Sequence, residues 1–276
     1  MTLPAALLPA TLGFILLVVL AVPVFLSRNK TIVSRWITWC AIATLSYGAQ
    51  LAGAAGTVAL AILVSVLCAV EFGKLVKLRA FDLSLLLLTC VAFPVLAATQ
   101  DAWLFKYLPY ILIAGAVLPL FSSDLPSSAK RSVFTAFGIL WLAWATSRMV
   151  PLHAHLTLVV LVVAVTDVAS WAAGKSLGRL PLLRTRPFVV SPNKTIAGLL
   201  GGAGAAAVCL VLVGSFSLEL FLIVALGAPM GDLLASAFKR GAGVKDTGSW
   251  LPGFGGLLDR ADSLLLVLPL AALVLK

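Results

Sequence analysis

The sequence predicts an all-α, polytopic integral membrane protein with about ten transmembrane helices in a single domain of residues 1–276. Hydrophobic residues make up 62% of the chain and charged residues only 11%, whereas soluble proteins carry roughly 25% charged residues. The apolar runs recur at about 20 residues, which is the length that a helix needs to cross a bilayer. Because lipid offers no hydrogen-bonding partner to an open backbone, these runs are predicted to be helices rather than sheet.

The apolar runs divide the chain into ten predicted spans. Residues 36–70 are too long for one span, and Gln50, Gly53 and Gly56 mark their middle, so two spans are predicted there. A re-entrant hairpin over the same residues would instead leave nine spans. The predicted spans cover approximately residues 7–26, 36–51, 54–70, 81–98, 104–121, 132–150, 156–171, 195–214, 217–238 and 263–275.

Seventeen of the 20 lysines and arginines lie in alternate connections between these spans. By the positive-inside rule such connections face the cytoplasm, so we expect a bacterial cytoplasmic (inner) membrane protein with residues 172–194 and 239–261 on the cytoplasmic side. The sequence pI of about 9.9 then reflects topology, and no nucleic-acid partner is expected. The seventeen residues are Arg28, Lys30, Arg35, Lys74, Lys77, Arg79, Lys130, Arg131, Lys175, Arg179, Arg184, Arg186, Lys194, Lys239, Arg240, Lys245 and Arg260.

The four cysteines show no metal-binding or disulfide pattern. All of them lie within apolar runs, without a CxxC or a Cys/His spacing, so they are predicted to be small hydrophobic residues of the helix bundle. They are Cys40, Cys68, Cys90 and Cys209.

Carboxylates and basic residues concentrate near the C-terminus. Residues 231–262 contain four of the ten acidic and four of the 20 basic residues, although nearly everything around them is apolar. Asp167 and Asp232 lie inside apolar runs, where a charge costs several kcal/mol. A structural ion pair would explain each of them, but we favour a ligand site, because both lie about two turns from the predicted cytoplasmic helix ends. Residues 161–276 therefore contain the candidate ligand site, and residues 1–160 are N-terminal apolar spans.

Helical spacing places these carboxylates on shared faces. Asp232 and Ser236 are four residues apart, and Arg240 is expected to continue the same face. Asp259 and Asp262 are three residues apart at the start of the last span. Two helices that bring carboxylates together can hold Mg²⁺, which prefers one or two carboxylates together with substrate phosphates. Asp232 and Asp259 are the first-choice metal ligands, and zinc is not expected without nearby His or Cys.

Two polar loops complete the predicted site. The turn at residues 252–256 contains three glycines, which would let backbone N–H groups approach phosphate oxygens closely. In Ser191-Pro-Asn-Lys-Thr195, either Ser191 or Thr195 is a candidate cap for the next helix, whose N-terminus would favour an anion. Lys194 would add positive charge there. An ordinary loop and helix cap is an equally good interpretation of this second segment.

Residues 236–262 carry a longer motif. They read Ser-Ala-Phe-Lys-Arg, four further residues, Lys-Asp, and later Pro-Gly-Phe-Gly-Gly-Leu-Leu-Asp-Arg-Ala-Asp. This motif closely resembles the signature of the CDP-diacylglycerol synthases, also called phosphatidate cytidylyltransferases. The resemblance extends upstream to Gly231-Asp232, to residues 191–198, and to Asp167 with Gly174-Lys175, whereas the first 160 residues are similar only in being apolar spans.

The resemblance implies transfer of CMP from CTP to phosphatidate, giving CDP-diacylglycerol and pyrophosphate, in Mg²⁺-dependent phospholipid synthesis. The implied partners are CTP, phosphatidate or a related lipid phosphate, and the bilayer. We also expect a homodimer, and a second, monovalent ion such as K⁺ is left open. The expected catalytic residues are Asp246, Lys239, Arg240, Lys245, Arg260 and Ser236; the expected substrate-binding residues are Asp167, Lys175, Ser191, Asn193, Lys194, Thr195, Gly253, Gly255, Gly256 and Asp262; and Asp232 and Asp259 would bind the metal.

Two positions depart from the family pattern. Phe254 stands where the family usually has His, and Ala197 stands where it usually has Glu. Either departure could mean altered substrate choice, weaker metal or nucleotide binding, or a specialised paralogue. The attacking phosphate oxygen is already largely ionised at neutral pH, with a second pKa of about 6, so no general base is needed and Phe254 is compatible with the chemistry.

Two other classes of function stay open at this stage. A CTP-dependent enzyme acting on another lipid, such as a CDP-archaeol synthase or a polyprenol or phytol kinase, would share the same site. An ion-coupled transporter with Asp167 and Asp232 as coupling carboxylates would also fit the spans. It would leave the loop charges of residues 239–262 without a purpose.

Overall fold

The computed structural model describes residues 8–26, 29–121, 125–180, 185–249, 251 and 255–275, and over these residues the chain is helical. The only strand-like pairing in the described part is an isolated bridge between Leu251 and Gly255. The helices are α1 Leu8–Leu26, α2 Lys30–Leu51, α3 Gly53–Leu75, α4 Ala80–Thr99, α5 Asp101–Val117, α6 Leu125–Gly138, α7 Ala145–Ser147, α8 Leu156–Ser176, α9 Ile196–Leu212, α10 Leu218–Gly241 and α11 Leu258–Val274. A π-helical stretch, Ile139–Trp144, joins α6 to α7, and short 3₁₀ turns cover Leu118–Phe121 and His153–His155.

Length and hydropathy mark the protein as an integral membrane protein. Six helices of the described chain are long and apolar enough to cross a bilayer. The predicted all-α class is therefore confirmed, and the total of about ten spans stays a prediction. The six are Leu8–Leu26, Gly53–Leu75, Ala80–Thr99, Asp101–Phe121, His153–Ser176 and Leu218–Gly241.

The predicted division of residues 36–70 is confirmed. Helix α2 ends at Leu51 and α3 begins at Gly53, with Ala52 between them. Gly53 has a φ of 66°, a left-handed conformation that glycine adopts without steric cost. The chain therefore reverses there within a few residues.

Several predicted helix ends are wrong. Helix α2 begins at Lys30 rather than at residue 36, and α6 begins at Leu125 rather than at residue 132. Helix α3 continues to Leu75, so Glu71 is helical and not part of a loop, and α8 continues to Ser176, so Lys175 is helical as well. Helix α11 begins at Leu258, which is five residues before the predicted start. The prediction took the end of an apolar run as the end of a helix, whereas a helix ends where its hydrogen bonds end, and these helices continue with polar residues.

Helices α8, α9, α10 and α11 approach one another closely. A Cβ added at Gly202 of α9 would collide with the Ser170 side chain of α8, and one at Gly231 of α10 would collide with the Asp262 carbonyl of α11. Close approach through small residues is the usual way in which membrane helices pack. The same two contacts bring Asp232, next to Gly231, towards the polar start of α11.

An aromatic cluster connects α3 to α10. Phe72 packs edge-to-face on Phe238 with ring centroids 5.5 Å apart, and Trp141 of the π-helical stretch stacks on Phe238 at 5.6 Å. Such aromatic pairs stabilise by about 0.5–1.5 kcal/mol beyond the area they bury. Because Glu71 precedes Phe72 and Lys239 follows Phe238, this packing also sets the positions of two charged side chains.

Other ion pairs lie elsewhere in the bundle. Arg148, one of the three basic residues outside the predicted cytoplasmic connections, binds Asp101 at 2.7 Å and lies over the Phe105 ring at 4.7 Å. Arg131 lies 3.3 Å from Asp82, and both side chains are buried. The four cysteines are free, as predicted.

Candidate active site

A cavity of about 560 Å³ lies among α8, α9, α10 and α11, with one residue contributed by α2. Polar and charged side chains from four separate helices and from the 191–195 loop line it. The lining residues are Trp39, Asp167, Ser170, Trp171, Gly174, Lys175, Ser191, Asn193, Lys194, Thr195, Gly198, Leu199, Pro229, Asp232, Lys239, Asp259, Arg260, Asp262 and Ser263. Eleven of the predicted site residues are among them.

The 191–195 loop enters the cavity through two specific contacts. Thr195 caps α9, and its hydroxyl accepts a hydrogen bond from Gly198 N at 3.2 Å. Lys194 Nζ donates to the Pro229 carbonyl at 2.9 Å and binds Asp232 Oδ2 at 2.8 Å. Of the two candidates, Thr195 is therefore the cap of α9. The Lys194 ammonium connects the loop to α10 by binding Asp232 and the Pro229 carbonyl.

Asp232 is a partly exposed carboxylate of the cavity. Its side chain is 39% exposed, and besides Lys194 it accepts only a long hydrogen bond from Ser236 Oγ, at 3.4 Å. The predicted face shared by Asp232 and Ser236 is therefore confirmed. One side of this carboxylate has room for a further ligand.

Asp259 is in the opposite situation. Its Oδ1 binds Lys239 Nζ at 2.8 Å, and its Oδ2 accepts from Thr247 N at 2.8 Å and from Gly256 N at 3.0 Å. The side chain is only 2% exposed. The protein itself satisfies both oxygens, so Asp259 could bind a metal only after releasing Lys239 or part of the loop.

Two further carboxylates complete the acidic lining. Asp167 of α8 accepts a hydrogen bond from Ser263 Oγ at 3.2 Å, and this contact links α8 to α11. Asp262 accepts from the backbone N–H of Ser263 at 2.8 Å. Arg260 lines the same cavity, so the first turns of α11 supply both signs of charge.

Several predicted catalytic residues do not line this cavity. Arg240 is exposed and donates to the Val244 carbonyl at 3.4 Å, and Lys245 and Asp246 are exposed. The expected Asp232–Ser236–Arg240 face is wrong at its third member. At 100° per residue, Arg240 is rotated by about 80° from Asp232, whereas Lys239 is within about 20° of it.

The glycine turn is only partly described. Gly255 and Gly256 lie next to Asp259 rather than in the cavity lining: a Cβ at Gly255 would lie 3.0 Å from Asp259 Oδ2, and Gly256 N donates to that atom. Gly255 has a φ of 85°, which favours glycine. The prediction for Gly253, like the departure at Phe254, lies outside the described residues.

Sequence reasoning missed three kinds of residue. Glu71 of α3 accepts hydrogen bonds from Thr247, Leu257 and Leu258, and Ser263 binds Asp167. Trp39 of α2, which no sequence pattern had marked as part of a site, lines the cavity. The one available signal was Glu71 itself, a carboxylate directly after an apolar run.

The donor set suits a hard divalent cation. No group of three or more His, Cys, Asp or Glu residues in the described part of the chain is arranged to hold a metal alone. Mg²⁺, however, needs only one or two carboxylates when substrate phosphates supply the remaining oxygens. Asp167, Asp232 and Asp262 offer oxygen ligands only, on one cavity.

Comparison with known proteins identifies the family. A sequence model of the cytidylyltransferase family matches residues 33–276. The chain belongs to the cytidylyltransferase family. The match includes all four helices that surround the cavity, so the charged lining is part of the region that this chain shares with the family.

Curated relatives of this chain share more than a third of their aligned residues with it. A phosphatidate cytidylyltransferase of Staphylococcus haemolyticus is 37% identical over 180 residues, covering 60% of this chain and 66% of the relative. One of Helicobacter pylori is 38% identical over 158 residues, covering 54% and 52%. One of Staphylococcus saprophyticus is 39% identical over 128 residues, covering 42% and 46%. The chain thus aligns with about half to two thirds of each relative's length.

Proposed function

We propose that this chain transfers CMP from CTP to phosphatidate, giving CDP-diacylglycerol and pyrophosphate, in a Mg²⁺-dependent reaction. The observation that best supports this proposal is a single cavity between membrane helices. It is lined by the basic residues Lys194, Lys239 and Arg260 and by the carboxylates Asp232 and Asp262. Cations alone would suit any phosphate, and carboxylates alone any divalent cation. Their combination fits a metal-bound triphosphate, and the names of the relatives support the same substrates.

The reaction needs charge neutralisation more than acid–base chemistry. An oxygen of the phosphatidate phosphate attacks the α-phosphorus of CTP, the bond from that phosphorus to the bridging oxygen of the β-phosphate breaks, and pyrophosphate leaves with the bond's electron pair. Both reactants are anions, so their approach is opposed by repulsion. Lys194, Lys239 and Arg260 would oppose this repulsion by placing positive charge where negative charge accumulates.

Asp232 is the carboxylate that we propose as the first metal ligand, with Asp167 and Asp262 on the same cavity as its neighbours. When bound, Mg²⁺ would neutralise the phosphate oxygens and hold the nucleotide in place. Asp259, the other ligand predicted from the sequence, would join only on losing a partner. In the structure its role is to hold Lys239 and the loop that precedes α11.

The lysines would change partners when the nucleotide binds. Lys194 and Lys239 each bind a carboxylate, Asp232 and Asp259 respectively. A triphosphate carries more negative charge than either carboxylate, so we propose that both ammonium groups turn towards it. Neither lysine then stays unpaired in an apolar bundle at any stage.

The membrane setting is part of the proposal. We propose that the cavity opens at the cytoplasmic face of a bacterial inner membrane, as the basic connections predict, and that the acyl chains of the substrate stay in the bilayer. About ten spans, a homodimer and a monovalent ion such as K⁺ beside Mg²⁺ stay predictions.

Isotope position in CTP tests the proposed reaction directly. Purified protein in detergent micelles is supplied with phosphatidate, Mg²⁺ and CTP labelled at either the α- or the γ-phosphate. We expect α-label in the lipid-extractable product and γ-label in pyrophosphate. γ-Label in the lipid would indicate a CTP-dependent kinase, product from another lipid only would change the acceptor, and ion flux into liposomes without CTP turnover would indicate a transporter. Each of these outcomes would overturn the proposal.

A further inference from the structure

Glu71 is the only acidic residue of α3, and it lies against the loop that precedes α11. Its Oε1 accepts a hydrogen bond from Leu257 N at 2.8 Å, and its Oε2 accepts from Leu258 N at 2.9 Å and from Thr247 Oγ1 at 2.7 Å. The residue is 6% exposed. It does not line the cavity, so substrate contact does not explain why a carboxylate is buried here.

The backbone donors to Glu71 belong to the start of α11. The first N–H groups of a helix have no partner within the helix, and a negative charge beside them is favourable. Leu257, the residue before α11, has no side-chain oxygen that could cap it. A carboxylate from a helix 186 residues away along the chain performs this role.

The third donor connects Glu71 to the cavity. Thr247 Oγ1 lies 2.7 Å from Glu71 Oε2 and 3.0 Å from Asp259 Oδ2, and Thr247 N donates to the same Asp259 oxygen. Asp259 in turn binds Lys239. The order of contacts is therefore Glu71, Thr247, Asp259 and Lys239, and the last two face the cavity.

The fit around this network is tight. A Cβ added at Gly256 would collide with both Glu71 Oε2 and Thr247 Oγ1. The Thr247 hydroxyl has one proton, so it can donate to only one of the two carboxylates at a time. A small shift of Glu71 would therefore change whether the Thr247 hydroxyl donates its hydrogen bond to Glu71 or to Asp259.

We propose that Glu71 is a positioning residue for the proposed cytidylyl transfer: it fixes Thr247 and the segment 255–258, and thereby the direction of Asp259 and Lys239. It acts through Thr247 and through the capped start of α11, without touching substrate. Loss of the Glu71 carboxylate should loosen this loop selectively and leave α8 and α9 unchanged, because no contact described for Glu71 reaches those helices.

Hydrogen exchange on the full-length protein tests the positioning role independently of activity. In Glu71→Ala, backbone amides of residues 245–258 should exchange at least about tenfold faster than in the unsubstituted protein, while peptides of α8 and α9 keep their rates. Glu219→Ala removes the only other glutamate of the chain, at the exposed start of α10, and serves as the matched control. Unchanged exchange in residues 245–258, or faster exchange throughout the bundle, would overturn the proposal.

Kinetics provides the second readout and depends on the proposed function. We expect Glu71→Ala to lower kcat at least about tenfold with KM for CTP changed less than about threefold, because Lys239 loses its direction while Lys194 and Asp232, on the other side of the cavity, stay in place to bind the nucleotide. An equal or larger effect on KM would show that Glu71 acts in binding. Absence of CMP transfer by the unsubstituted protein would refute the proposed function and leave the exchange test intact.

Substitutions of Thr247 decide whether the network acts as a unit. Thr247→Ser keeps the hydroxyl and should keep kcat, whereas Thr247→Val, which has nearly the same shape, should lower it. Combined with Glu71→Ala, Thr247→Val should cost less than the sum of the two separate losses, since both break the same contact. Additive losses would mean that Glu71 does not act through Thr247.

Discussion

Asp232 and Asp259, which the sequence presents as an equivalent pair, should respond differently to the same substitution. Asn has nearly the shape of Asp, so Asp232→Asn and Asp259→Asn remove charge with little change in packing. The Asp259 side chain is 2% exposed and the Asp232 side chain is 39% exposed. We therefore expect Asp259→Asn to act on stability and Asp232→Asn to act on metal dependence.

The magnitude for Asp259→Asn follows from its contacts. If the Asn oxygen faces Thr247 N and Gly256 N, its NH₂ group faces the Lys239 ammonium, and a buried charge loses its partner. Breaking a buried pair on one side costs about 3–5 kcal/mol. At about 2–4 °C per kcal/mol for a chain of this size, the loss in Tm is on the order of 10 °C.

The magnitude for Asp232→Asn is much smaller in stability. Its partner Lys194 is 19% exposed, and partly exposed pairs contribute about 0–1 kcal/mol, so the loss in Tm should be under about 4 °C. Loss of residues that only support a metal ligand already weakens metal binding about 10–100-fold. The Mg²⁺ concentration for half-maximal CMP transfer should therefore rise at least about tenfold.

Thermal unfolding in detergent and Mg²⁺ titration of activity measure the two effects. The buried thiols of Cys68 and Cys90 become accessible to a thiol-reactive dye only on unfolding and so report Tm. Glu219→Gln, at an exposed carboxylate, is the control. A wild-type Tm for Asp259→Asn, or a wild-type Mg²⁺ titration for Asp232→Asn, would refute the assignment of the two roles.

Three further predictions concern single residues. Lys239→Gln should reduce kcat/KM about 100-fold and more strongly than Arg240→Gln, because Lys239 lines the cavity; equal losses in steady-state assays would restore Arg240 to the site. Arg148→Met should lower stability by about 1–2 kcal/mol, mainly because the contact of the buried guanidinium with the Phe105 ring is lost, while the lost pair with the 38% exposed Asp101 adds about 0–1 kcal/mol; KM for CTP should stay unchanged, and unchanged thermal unfolding would contradict this. Phe254→His should retain or raise activity with phosphatidate in a lipid assay, since no general base is required, and complete loss would show a pocket adapted to Phe.

The helices could be predicted from hydropathy because lipid enforces the pattern. An apolar run near 20 residues has few alternatives to a membrane helix. Length alone did not show where residues 36–70 divide into two helices, and Gly53 marks that position. Hydropathy could not locate the helix ends. Glu71 and Lys175 continue their helices beyond the apolar run, since backbone hydrogen bonds do not require an apolar side chain.

The cavity carboxylates could be predicted because charge is costly in an apolar run. Asp167 and Asp232 stood out on that ground alone, and both line the cavity. The choice between Lys239 and Arg240 needed the exact helical period. Two steps of four residues lead from Asp232 to Arg240 and end about 80° away from the face of Asp232, whereas Lys239 lies within about 20° of that face. Glu71 could not be predicted, because the three donors described for it are at least 176 residues away along the chain and leave no local pattern.

Pairing of charges before substrate arrives solves a problem that every polar site in a membrane bundle has. On the proposed function Lys194 and Lys239 bind the triphosphate, yet an unpaired buried ammonium would be strongly destabilising. Asp232 and Asp259 stabilise them in the free protein, and on the proposed function the nucleotide replaces these partners. Asp232 would then be released towards the metal that arrives with CTP, whereas Asp259 keeps its backbone donors from Thr247 and Gly256. The two carboxylates thus differ because only one of them has an alternative set of protein donors when its lysine leaves.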